Sequence, residues 1–144
     1  MTDEYAGSLR ILDDDPAPRL VVRTPRRVDE GDRIEVKVAL EGKASYPLYA
    51  WLGAVRVDRD LEPLRTGDVP TTWLERHDIS ADEPRRPLHR AGLFTYERMR
   101  GGESALLLSL PTRQDGVDEQ VEAVTFRIGA GRGRSVERTI RVVD

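Results

Sequence analysis

The amino-acid pattern predicts an all-β fold, a two-sheet antiparallel sandwich of about seven to eight strands with one long inserted loop. Three observations predict it. Apolar and polar residues alternate with period two in several short runs, turn-forming residues separate those runs, and one internal stretch breaks the pattern.

The clearest run lies at Arg33 to Leu40, where Ile34, Val36, Val38 and Leu40 alternate with Arg33, Glu35 and Lys37. Such a strand turns one face to a core and the other to water. Similar runs occur at Leu20 to Arg23, Leu48 to Val57, Leu93 to Met99, Ser104 to Leu110, Val124 to Ile128 and Val136 to Val143. Leu9 to Leu12 offers an eighth. Pro25, Glu41-Gly42, Gly101-Gly102, Asp115-Gly116 and Gly129 to Gly133 supply turn chemistry between them.

The stretch from Asp58 to Arg90 has no sustained alternation and holds Pro63, Pro70, Pro84, Pro87, both histidines and Trp73. It reads as a long, partly ordered loop with a short helical turn at Thr71 to Arg76. Loops of that length in one domain are usually functional or disordered, so any individual specificity is expected there.

A chain of 144 residues fits one core. With 38% hydrophobic and 34% charged residues, a core with a strongly charged, soluble exterior is expected. The longest apolar stretches, such as Ala105 to Leu108, fall far short of the roughly 20 residues of a membrane-spanning helix, so no membrane insertion is expected. Lack of Cys excludes disulfides and thiolate chemistry. A net charge of −3 argues against a nucleic-acid partner.

The start, Met1-Thr2-Asp3-Glu4, lacks the basic and apolar regions of a secretory signal. The expected location is cytoplasmic if the chain is complete as given, and extracellular or at the cell surface if it is part of a longer chain. Leu9-Arg10-Ile11-Leu12-Asp13 near the start resembles Ile140-Arg141-Val142-Val143-Asp144 at the end. That likeness is what one unit of an array keeps when the last strand of its predecessor is attached, the alternative being coincidence between two ordinary strand ends. The expected division is therefore residues 1–18 as linker or strand remnant and 19–144 as the sandwich with its loop 58–90.

In order, Asp13-Asp14-Asp15-Pro16, Val28-Asp29-Glu30-Gly31-Asp32, Phe94 to Glu103 with its Gly-Gly-Glu, and Asp115-Gly116-Val117-Asp118-Glu119-Gln120-Val121-Glu122 resemble a Calx-beta module. The resemblance runs from Ile11 to Asp144. It implies an immunoglobulin-like sandwich, of the kind found in sodium–calcium exchangers, an integrin β subunit and arrays on bacterial surface proteins. It also implies Ca²⁺ held by carboxylates gathered from loops at one end, since Ca²⁺ takes six to eight oxygen ligands. On this resemblance the metal candidates are Glu30, Asp68, Asp115, Glu119, Glu122 and Asp144. Two departures, Gln114 in place of an acidic residue and a terminal acidic run of one residue, imply weak binding. The alternative for these residues is ordinary solvated turns, with Arg113 and Arg141 available to neutralise them.

Other constellations carry less. His77 and His89, with Asp78, Asp82 and Glu83 between, match no zinc spacing and read as a polar loop. Gly129 to Gly133 joins two strands and reads as a hairpin turn rather than a phosphate cradle. Trp51, Trp73, Tyr46, Tyr49, Phe94 and Tyr96 form a candidate carbohydrate-stacking set, with Trp51 expected in the core and Trp73 expected to make contacts. No Gly-x-Ser-x-Gly elbow sets up a nucleophile, so no catalytic residue is assigned.

The expected function is a non-catalytic binding or spacer module of a larger surface or secreted protein, weakly binding Ca²⁺ at one end and contacting neighbouring modules or another protein. The competing expectation is a stand-alone subunit of a large assembly, such as a phage or secretion particle, docking through loop 58–90.

Overall fold

The computed structural model describes residues 19–41, 48–99, 105–114, 121–130 and 135–143. Along the chain these form β1 (Arg19–Arg23), β2 (Arg27–Asp29), β3 (Arg33–Glu41), β4 (Leu48–Val55), β5 (Glu62–Pro63), α1 (Thr71–Arg76), β6 (Phe94–Met99), β7 (Ala105–Pro111), β8 (Glu122–Ala130) and β9 (Ser135–Val143). Two sheets result. One has three strands in the order β1-β3-β7; the other has six, in the order β2-β9-β8-β4-β6 with β5 alongside β8. The all-β, two-sheet expectation holds, and each of the seven alternating runs is a strand. Leu9 to Leu12 lies outside the described residues.

The alternation read in β3 becomes an alternation of burial. Ile34, Val36 and Val38 are fully enclosed and their polar neighbours exposed. Facing them, β8 buries Val124, Phe126 and Ile128, and β9 adds Ile140 and Val142. Each such side chain is worth about 1.5–3 kcal/mol removed from water.

Two short strands escaped the pattern, and both pair parallel, so the sandwich is not wholly antiparallel. β1 pairs with β3, then the chain crosses at Thr24-Pro25 to the other sheet, where β2 runs parallel to β9. Pro lacks the N–H a ladder needs, which makes it a natural crossing point. β5 runs parallel to β8 through Glu62 and Pro63. Neither strand is long enough to show a period.

The stretch 58–90, read as a long, partly ordered loop, is a long insertion between strands that packs into the core. The helical turn falls at Thr71–Arg76 as read, but Leu64, Val69, Trp73, Leu74, Ile79 and Leu88 all enter the core. Its backbone bonds to the large sheet, Leu64 N–H donating to the Ala123 carbonyl at 2.7 Å. The Trp73 indole N–H donates to the Ser109 carbonyl on β7 at 2.9 Å. The apolar residues are spaced irregularly because the segment is neither helix nor strand for most of its length, so periodicity could not reveal them.

Strand pairing fixes two ends. The tip holds the end of β2, the start of β3, the end of β7, the start of β8 and the end of β9; the base holds the start of β1 and the end of β8. Thr112 ties the two sheets at the tip. Its hydroxyl accepts from Gly31 N–H at 2.9 Å and donates to the Asp32 carbonyl at 2.7 Å. Gly31 sits at φ 95°, a left-handed backbone that an L side chain strains. Thr112→Val, which keeps the shape and removes both bonds, is expected to lower stability by about 1–3 kcal/mol in urea unfolding.

Candidate functional site: an acidic tip and an aromatic face

The described members of the acidic set sit at the tip. Glu30 follows β2, and its N–H donates to the Val143 carbonyl at 2.6 Å, at the end of β9. Glu122 opens β8 opposite Val142, and its side chain shares the inward parity of Val124 and Phe126 and is buried. Asp68 is brought in by the Arg113 N–H, which donates to its carbonyl at 2.8 Å. Asp115, Glu119 and Asp144 lie outside the described residues.

The described carboxylates do not by themselves form a cation cage. The Asp68 carboxylate accepts the Arg65 N–H at 2.9 Å, capping its own turn. Among the described residues no group of three His, Asp or Glu side chains is placed to hold a metal.

The other feature is an aromatic face on the outside of the large sheet. Along β4, Ala50 and Leu52 point into the core, so Tyr49 and Trp51 point out. On β6, Phe94 and Tyr96 share that outward side, with Trp51 opposite Tyr96 and Gly53 opposite Phe94. Tyr49, Phe94 and Tyr96 are 52%, 57% and 61% exposed, unusual values for large rings inside strands. The Tyr49 and Tyr96 rings meet edge to face at 5.8 Å, and Trp51 and Phe94 lie nearly parallel, 21° apart, with centroids at 6.4 Å.

Two strand glycines shape this face. A Cβ added at Gly129, opposite Trp51 on β8, would stand 2.6 Å from Cζ2 of the indole. One added at Gly53 would stand 3.0 Å from Cδ1 of Phe94. Each ring therefore leans onto the neighbouring strand and lies over a glycine, in space that any other residue would fill.

These placements reverse the reading of the tryptophans. Trp73, expected to make contacts, is 8% exposed, hydrogen-bonded, and stacked on His77 with centroids 3.8 Å apart. Trp51, expected in the core, is on the outer face and half-buried. Tyr46 lies outside the described residues. The signal available in the sequence was the pairing of in-strand Gly53 and Gly129 with outward aromatic positions.

The histidines serve the 58–90 segment. The His77 Nδ1 lies 2.8 Å from the Trp73 carbonyl. His89 borders a shallow groove with Arg56, Asp58, Leu61 and Pro87. Burial lowers its pKa from the ordinary 6.5, and the Arg56 and Arg90 guanidinium groups lower it further. Gly129 pairs with Ser135 in the antiparallel β8–β9 ladder, and Gly131 to Gly133 lie outside the described residues.

No family model and no curated protein matches the chain. Among solved structures it is similar to a cohesin module from a Clostridium perfringens ATCC13124 family 33 glycoside hydrolase, with 13% identity, 88% of this chain and 97% of that chain covered, and a TM-score of 0.39. No helix among the described residues is long and apolar enough to cross a membrane.

If the outer rings serve binding and Trp73 serves folding, stability separates them. Phe94→Ser and Tyr96→Ser are each expected to cost at most about 1 kcal/mol, the scale of a cross-strand aromatic pair. Trp73→Ala is expected to cost about 3–5 kcal/mol by the same denaturant titration.

Proposed function

We propose that this chain is a non-catalytic module set in line within a longer protein, holding its neighbours apart and presenting the aromatic face sideways to a ligand. The path of the chain carries this reading: β1 begins at the base and β9 ends at the tip, so the two attachment points lie at opposite ends of the strands. A kinship with Calx-beta modules fits that arrangement.

The path also loads the body in a particular way. Tension drawn between Arg19 and Val143 pulls β2 toward the base and β9 toward the tip. These two strands are parallel neighbours, Arg27 to Asp29 beside Arg141 to Val143, so the pull shears them and their hydrogen bonds must fail together. A spacer benefits from that geometry.

Single-molecule stretching tests it. Attachment at Arg19 and Val143 is expected to give a clearly higher unfolding force than attachment at Asp60 and Val143, both at the tip, where strands peel one bond at a time. Equal forces in the two geometries would remove the in-line reading.

A second reading, weak Ca²⁺ binding at the tip, is favoured by one observation: Glu30, Asp68 and Glu122, far apart in sequence, all attach to strand ends that meet there. The full set would include Asp115, Glu119 and Asp144. When bound, the ion would bridge loops of both sheets. The expected outcome is a rise in melting temperature at millimolar Ca²⁺, because a ligand of the folded state stabilises it, and loss of that rise in Glu30→Gln. An unchanged melting temperature would eliminate this second reading alone.

A further inference from the structure

Two rings of the outer face do not stand up from the sheet. Trp51 and Phe94 lie across it, each over a glycine, so their π faces rather than their edges are offered outward. Anchors that bind proteins typically project and fill a pocket in the partner. Rings laid along a sheet instead match a ligand that is itself flat and apolar on one side. The C–H face of a pyranose ring has that character, and it carries the slight positive charge that the negative face of an aromatic ring attracts.

The polar groups around the rings fit the same ligand. The Trp51 indole N–H and the Tyr49 and Tyr96 hydroxyls make no hydrogen bond to any described residue, leaving them for sugar hydroxyls. Charge narrows the class further. On this face Arg127 is neutralised by Glu137 at 2.7 Å. Arg98, opposite Tyr49 and two residues beyond Tyr96, makes no ion pair among the described residues. Arg98 is therefore the uncompensated cation beside the rings, at the base end of their row, while Arg27 and Arg141 lie across the sheet on β2 and β9. A single-stranded nucleic acid would need a groove of such cations alongside the rings to follow its phosphates, and Arg98 alone stands beside them. From Phe94 to Arg98 the row spans about 13 Å, the rise of four strand residues, room for an oligosaccharide rather than a single sugar.

From this we infer that the β4–β6 face binds an acidic glycan, stacking sugar rings on Trp51 and Phe94 and pairing a sugar carboxylate with Arg98. This rests on the reading of the face as a ligand surface and names its ligand class. Gly129 is a positioning residue, since it lets the indole lie flat.

The test is calorimetric titration of the whole chain with hexamers of mannuronate, galacturonate and glucuronic-acid-substituted xylan, each beside its methyl-esterified form. At least one acidic hexamer is expected to bind, and to bind more tightly than its ester. Trp51→Ala and Gly129→Ala should each weaken it about tenfold, near 1.4 kcal/mol. Gly129→Ala keeps every aromatic ring, so its effect reports ring placement. Arg98→Gln should erase the difference between acid and ester, and added salt should do so partly. Unfolding curves of the variants confirm that they are folded.

Three results would overturn the inference: no acidic hexamer binds, acid and ester bind equally, or binding survives Trp51→Ala. Sedimentation showing a dimer that Trp51→Ala dissolves would also overturn it, assigning the face to a second copy. None of these results touches the stretching geometry, so the ligand assignment can fail while the in-line module stands.

Discussion

A three-stranded sheet cannot cover a six-stranded one, and the rest of this molecule follows from how that mismatch is resolved. The inner side of the large sheet is apolar across β9, β8 and β4, while β1, β3 and β7 reach over only part of it. The segment between β4 and β6 supplies the remainder. Leu64, Leu74 and Leu88 complete the core, and the Trp73 N–H reaches the open edge of β7 to close the layer. Without that segment, several large side chains would face water, at about 25 cal/mol for each Å² left exposed.

That role lies with part of the segment, and Asp82, Glu83 and Arg85 within it remain exposed at the surface. Its apolar residues are turned inward, and Trp73, its most conspicuous ring, is consumed by packing. On the opposite side of the large sheet, β4 and β6 carry the exposed rings of Tyr49, Phe94 and Tyr96, with Trp51 half-buried among them. Side chains held by strands keep their spacing better than those on loops.

The tip has a different logic. Glu30, Asp68 and Glu122 are brought together by the hydrogen bonds that join strand ends, with Thr112 at the junction of the two sheets. Among the described residues these carboxylates do not by themselves form a cation cage.

Alternation alone determined a great deal. A side-chain period of two forces one face inward, so the seven longer strands and the two-sheet architecture could be read from residues such as Ile34 to Leu40 without coordinates. Period also explains the failures. β2 and β5 are two or three residues long and show none, and the 58–90 segment packs by irregular contacts that leave no regular trace. Which ring was inside and which outside depended on which sheet face was covered. Trp51 and Trp73 differ in that respect only through tertiary packing, because a strand pattern gives two faces but does not say what lies against either of them.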